Sequence, residues 1–198
     1  MKFSPIATAA LAAIALSGCV APVGPVEVTR FHAPGPSPLG RGPIAVEPVP
    51  GADGAGLEFG SYAGAVARQL VLLGYSERPP GAATTQVALV RIERQSYRPG
   101  RRRGPVSVGV GGQTGRYGSG VGLGVGIDLS GPPPEQVQTL LAVTIKDRAS
   151  GQALWEGRAN FTVKTSSPLA TTQLAAAKLA EALFRGFPGQ SGETIEVR

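Results

Sequence analysis

The chain has 198 residues, 42% of them apolar and only 16% charged, with 29 glycines and 18 prolines. Such a composition leads one to expect strands and long loops rather than a helical bundle, in a chain long enough for one domain with a real core but awkward for two. A formal charge of +6 permits contact with anionic lipid headgroups or cell-wall polymers without demanding it, and nucleic acid is a poor candidate because no basic helix or aromatic-studded strand motif is present.

Residues 1–18 carry one early cation, Lys2, and an apolar run from Pro5 to Leu16. This is the order of a secretory signal, and the run is short of the roughly 20 apolar residues of a membrane span. The tetrapeptide Leu16-Ser17-Gly18-Cys19 that follows resembles a bacterial lipobox. The resemblance implies a diacylglyceryl group on the Cys19 thiol, cleavage before it and acylation of the new amino group. The bland alternative is an ordinary secretory signal with an incidental thiol. Cys19 is the only cysteine, so no intramolecular disulfide is open to the chain in the oxidising compartment that a signal implies. Stable anchoring takes more than one acyl chain, each contributing about 0.8 kcal/mol per buried methylene.

Residues 19–25 read as a short tether, with Pro22 and Pro25 opposing helix. Residues 26–198 read as a single domain. Alternation makes Val26–Phe31 a first strand with Val26, Val28 and a turned Phe31 towards the core. A Pro/Gly loop spans 33–43, and Ile44–Glu47 is a short strand stopped by Pro48 and Pro50. A helix over about Leu57–Leu73 follows from the spacing of Phe59, Tyr62, Val66, Leu70 and Leu73, with Gly74 as its left-handed cap and Tyr75 packing after it. Gln86–Glu93 is almost continuously apolar, which suits a central strand covered on both faces, and turns polar at Arg94-Gln95-Ser96.

The arginines Arg98, Arg101, Arg102, Arg103 and, further on, Arg116 form a candidate surface for phosphate, headgroup or partner contact, because guanidinium groups grip such anions bidentately. The plainer reading is a solvated loop whose charge keeps neighbouring strand edges from mispairing. Between and beyond these arginines, Val106, Val108 and Val110, then Val121, Leu123, Val125, Ile127 and Leu129, alternate with small residues, mostly glycine. Period two predicts a hairpin extension with one aliphatic face and one nearly bare face. No GxxxxGK(S/T) phosphate loop or GxGxxG fingerprint closes here, and a glycine-zipper helix would cost about 1 kcal/mol per interior glycine. The bare face could receive another backbone, a flat ligand or a partner chain.

Leu141, Val143, Ile145 and Asp147 mark one face of a strand, Ser150-Gly151 the turn, and Trp155, Gly157, Ala159, Phe161 and Val163 one face of its partner. Trp155 on that face reads as core rather than as a ligand platform. Ser167-Pro168 supplies a cap and first-turn proline for a last helix to about Arg185, with Leu174, Ala175, Leu179, Ala182, Leu183 and Phe187 towards the sheet, and Thr194–Arg198 is a candidate short strand. The sum is an α+β two-layer sandwich, a mostly antiparallel sheet with two helices packed on one face.

Several blocks together resemble one family: the lipobox, Leu73-Gly74-Tyr75, the Gly-rich hairpin, Asp147…Ser150-Gly151…Leu154-Trp155-Glu156-Gly157-Arg158-Ala159, and Phe187-Pro188-Gly189. They are similar to bacterial envelope lipoproteins catalogued as a domain of unknown function, number 4136, and the likeness covers nearly the whole mature chain. Arg30-Phe31-His32 and Gly189–Ile195 resemble its alphaproteobacterial branch. The resemblance implies an envelope lipoprotein and carries no catalytic residues with it. Enteric lipoproteins held in the inner membrane have aspartate after the cysteine; Val20 departs from that, which implies the periplasmic face of the outer membrane.

A non-enzymatic binding or envelope-assembly module is therefore expected, with no catalytic residue, metal or cofactor, a membrane partner through the lipid anchor, and an envelope protein, anionic lipid or cell-wall partner. One alternative is an accessory subunit of envelope lipid transport. The other is a periplasmic hydrolase using paired carboxylates drawn from Glu58, Glu93, Asp128, Asp147 and Glu156. His32, the only histidine, excludes multi-histidine metal sites and reads as a surface or hinge residue.

Overall fold

In a computed structural model the described residues are 24–35, 38–100, 106–115, 118–127 and 133–198. The strands are β1 (Val26–His32), β2 (Gly42–Pro48), β3 (Tyr75–Arg78), β4 (Gln86–Tyr97), β5 (Val106–Gly115), β6 (Gly118–Ile127), β7 (Gln136–Asp147), β8 (Ala153–Lys164) and β9 (Thr194–Val197); the helices are α1 (Leu57–Leu72) and α2 (Thr172–Phe184).

Seven strands form one mixed sheet in the order β3-β2-β4-β7-β8-β1-β9. β2 is parallel to both β3 and β4, and the other four pairings are antiparallel. The backbone of β5 pairs antiparallel with β6 as a separate two-stranded sheet, from Val106↔Ile127 to Gly115↔Gly118. Parallel neighbours need a crossover, and α1 supplies the one between β2 and β3.

The register shows why both helices lie on one face. Residues opposite one another point the same way, and the row Ile92–Leu141–Ala159–Val28 crosses four strands. The next rows are Val90–Val143–Gly157–Arg30 and Ala88–Ile145–Trp155–His32. Against these rows pack Tyr62, Val66 and Leu70 of α1 and Ala175, Leu179, Ala182 and Leu183 of α2. Each large aliphatic chain buried this way contributes about 1.5–3 kcal/mol.

The expected faces of α1, β7 and β8 are those observed. Elsewhere the chain departs from expectation. In β1 the buried phase is Val26, Val28 and Arg30, while Phe31 is 47% exposed. Ser167 caps a separate 3-10 turn, Pro168–Ala170, and α2 begins only at Thr172. Leu174, expected towards the sheet, is exposed. Tyr75–Arg78 adds an edge strand whose polar residues hid it. β4 is central but only half flanked. It runs to Tyr97, paired with β7 throughout, because Gln136, Val137 and Gln138 continue the ladder beneath residues that look like loop in isolation.

Candidate functional site

Thr172 at the start of α2 donates from Oγ1 to Glu58 Oε1 in the first turn of α1 at 3.4 Å. The two helix N-termini therefore meet at one end of the sheet, and the helix C-termini lie at the other.

At the C-terminal end a buried cation and a buried indole both have partners. The Trp155 indole stacks on Phe184 (centroids 5.3 Å) and meets Phe187 at 5.1 Å, and its Nε1–H donates to the Pro188 carbonyl at 3.0 Å. Gly157 is where the indole lies: a Cβ there would come within 2.2 Å of the Trp155 ring and 2.8 Å of Leu183. Arg30, 5% exposed, donates from Nε to the Leu183 carbonyl at 3.0 Å and from Nη2 to that of Ala182 at 3.1 Å. A cation is thus set against the last carbonyls of α2, where the helix dipole favours it. Burial pulls the Arg30 pKa below its ordinary value, opposed by the nearby Glu193 carboxylate. Gly189, at φ +79°, lets the chain cross over that guanidinium, since a Cβ would stand 2.9 Å from Arg30. Trp155 is core, as expected.

At the N-terminal end lies an open cleft of about 370 Å³ bounded by Ala52, Asp53, Gly56, Glu58 and Phe59 on one side and Val90, Arg91, Ile92 and Arg94 on the other. Its origin is topological. β2 pairs with β4 only as far as Pro48↔Val90; after Val49 donates to the Val90 carbonyl at 3.1 Å, the chain turns away through Ala52 towards α1. β4 continues for seven more residues with β7 on one side only among the described residues.

Arg94 is the hub of this end. It donates to the Ala170 carbonyl and, at 3.2 Å, to Thr172 Oγ1, and lies 3.6 Å from Glu58 Oε1. Asp53 Oδ1 accepts from the Ala55 N–H at 2.9 Å, shaping the turn into α1. One turn behind Glu58, Tyr62 is fully buried and its hydroxyl has no hydrogen-bond partner among the described residues. Burial pushes its pKa up to about 12, helped by the Glu58 charge and opposed by Arg94.

Among the described residues, Glu93 stands apart from both Asp147 and Glu156. Asp147 lies across from Gln86 and Glu93 across from Leu140, seven residues of strand or roughly 23 Å apart. Glu156 sits across from Thr144, which faces Leu89, leaving it roughly 13 Å along the strands from Glu93. Glu58 is on the helix side, while Glu93 and Glu156 point to the other face. Glu93 and Asp147 have local partners instead. Glu93 is 3.8 Å from Arg91. Asp147 accepts from the Ser150 N–H and hydroxyl at 2.8 Å each, and the Ser150 backbone bond followed by the hydroxyl bond lowers its pKa. Asp128 lies outside the described residues.

His32 Nδ1 is 3.1 Å from the Ala33 carbonyl, and its backbone N–H donates to Ser191 Oγ at 3.1 Å; the ring itself has no serine partner among the described residues. Among those residues no group of three or more His, Cys, Asp or Glu is placed to hold a metal ion, and no helix is long and apolar enough to cross a membrane. Arg98 is exposed just beyond β4. Leu16, Ser17, Gly18, Cys19, Arg101, Arg102, Arg103 and Arg116 lie outside the described residues.

Reading the sequence missed Arg94 and the Tyr62 hydroxyl as site groups. The available signal was phase: Arg94 continues the helix-facing row of Val90 and Ile92, so a charged side chain had to meet something there.

The chain can also be compared with solved structures. The chain resembles a PDZ domain protein from Parabacteroides distasonis with a TM-score of 0.51 and 11% identity, over 88% of this chain and 39% of that one. Similarity to a PelC dodecamer from Paraburkholderia phytofirmans is weaker, with a TM-score of 0.39 and 15% identity over 78% of this chain and 96% of that one. The chain belongs to the family described as Domain of unknown function (DUF4136), whose profile matches residues 45–189. An uncharacterized protein of Zymomonas mobilis subsp. mobilis is 41% identical over 63 residues, 32% of this chain. The chain thus matches about a quarter of that relative's length, 24%. The family match omits β1 and β9, which pair with each other from Val26↔Val197 to Thr29↔Thr194 at one side of the sheet.

Proposed function

We propose that this protein is an envelope lipoprotein of the alphaproteobacterial type, held at the periplasmic face of the outer membrane by acyl chains on Cys19 and acting there as a non-enzymatic binding or assembly module. The observation that carries the binding role is how the charges around the cleft are spent. Arg94, Glu58 and Asp53 hold the two helices and the turn in place, and between them lies a groove floored by Phe59, Val90 and Ile92. A hydrolase built on paired carboxylates needs two of them roughly 5–10 Å apart, which the described pairs Glu93–Asp147 and Glu93–Glu156 do not supply.

The anchoring rests on Leu16-Ser17-Gly18-Cys19, on Cys19 being the sole cysteine and on Val20. The seven residues from Cys19 to Val26 reach at most about 25 Å when fully extended, so the domain would work close to its membrane. The test is intact mass with membrane fractionation of the wild type and Cys19→Ala. Acyl mass and sedimentation with outer membrane in the wild type alone is the expected result. Two soluble, unacylated proteins would overturn the anchoring and direct attention to glycan and ester hydrolysis.

A further inference from the structure

Among the described residues, the free side of β4 is a formed but unused pairing edge. In a regular strand the N–H and C=O of one residue point to the same side, alternating along the chain. The Val90 carbonyl accepts from Val49 on the β2 side, and the β4–β7 register runs without a shift from Gln86↔Asp147 to Tyr97↔Gln136. Ile92, Arg94 and Ser96 therefore turn their backbone groups away from β7, to the side where β2 has already left. Six strong hydrogen-bonding groups stand in a row along the cleft.

This differs from how the sheet treats its outer strands. β3 and β9, at the two ends of the strand order, have four residues each, with Glu77 and Arg78 in one and Glu196 in the other; short, charged strands are the usual protection against unwanted pairing. The free stretch of β4 is seven residues long, sits in the middle of the sheet and is bordered by a groove.

We propose that this edge takes an extended segment of a partner protein as an added strand, lying where a longer β2 would lie. The proposal rests on the binding-module reading and names the kind of partner. Side chains at alternate positions of the added strand enter the cleft. The position facing Ile92 meets Phe59 and Val90 and suits an apolar residue. The position facing Arg94 lies between a guanidinium already bonded to Thr172 and the Ala170 carbonyl and the carboxylates Asp53 and Glu58 of the opposite wall, and suits a small uncharged polar residue. The recognised element is thus an apolar residue with uncharged polar residues at the neighbouring alternate positions, in extended conformation, and main-chain bonds supply most of the affinity.

The experiment uses the full chain as its envelope makes it, with an intact-mass measurement on the same preparation reporting separately on acylation. The probe is the peptide acetyl-Thr-Leu-Thr-Thr-Thr-amide, and the readout is amide hydrogen exchange by NMR. At millimolar peptide, exchange at Ile92, Arg94 and Ser96 should slow about tenfold, and the slowing should be lost with a backbone N-methylated version and weakened when the leucine is replaced by lysine. Ser96→Pro removes an edge N–H that the β7 ladder does not use and should abolish binding while the melting temperature stays close to wild type. Should that variant unfold, the contrast between the plain and the N-methylated peptide on the wild type decides the matter. No slowing at these three amides, or equal binding of the N-methylated peptide, overturns strand addition; equal binding of the lysine peptide overturns the apolar preference. An unacylated chain that still binds would sink the anchoring and leave this proposal standing.

Discussion

The two ends of the helix layer solve the same problem in opposite ways. Each must close a pair of helix termini over one end of the sheet. At the C-terminal end an arginine enters the layer, gives its donors to two main-chain carbonyls of α2, and is sealed by Gly189 and the Trp155–Phe184–Phe187 cluster. At the N-terminal end an arginine also joins the helices, but Arg94 does so from the rim, with its side chain about a third exposed. The space beside it stays open, and Leu57, 93% exposed, projects from the first turn of α1. The difference comes from β2: it leaves the sheet at Pro48, so nothing among the described residues pairs with the free side of the C-terminal half of β4. One end is built for stability and the other keeps surface available.

If that contrast is right, damage to the two ends should differ sharply. The largest effect is expected from Trp155→Ala. It empties a site whose side chain is 1% exposed, removes two ring contacts and leaves the Pro188 carbonyl without its donor. Urea denaturation should register a loss of about 3–5 kcal/mol. A loss below 1 kcal/mol would mean that the cluster is not the fastening inferred here. Next comes Arg30→Lys. An ammonium keeps the charge but cannot deliver the fork that reaches both Leu183 and Ala182, so a loss of about 1–3 kcal/mol is expected. If lysine proves as good as arginine, charge alone explains Arg30 and the two-carbonyl geometry is incidental.

Arg30 also shows where reading the sequence stopped. Alternation from Val26 and Val28 points inward at position 30, but arginine is so rarely buried that Phe31 looked the better core residue. Only the carbonyls of α2, contributed more than 150 residues later, make the slot habitable. The β7–β8 hairpin and the stripe of α1 were legible because their faces are apolar and local in sequence. The parallel course of β2 beside β4 was not, since pairing between distant strands leaves no local mark. The candidate cleft inherits this limit. Pro48 and Pro50 announced the end of β2, and Glu58 was visible as a carboxylate. That β4 would run on past β2, with Arg94 still in phase, depended on a partner strand some forty residues away.

The smallest effect should come from Tyr62→Phe at the N-terminal end, and its sign carries the information. Tyr62 is as buried as Trp155, so an ordinary core reading predicts that truncating its polar tip costs stability. Yet its hydroxyl finds no partner among the described residues. A buried hydroxyl without a bond costs about 1–3 kcal/mol, which its removal returns. The variant should therefore be neutral or up to about 1 kcal/mol more stable than wild type in the same denaturation. Tyr62 should also titrate late in the wild type, near pH 12, because burial and Glu58 both disfavour the phenolate. A loss of stability in Tyr62→Phe would instead place a bonding partner beside the hydroxyl, and the N-terminal end would be as fully fastened as the other.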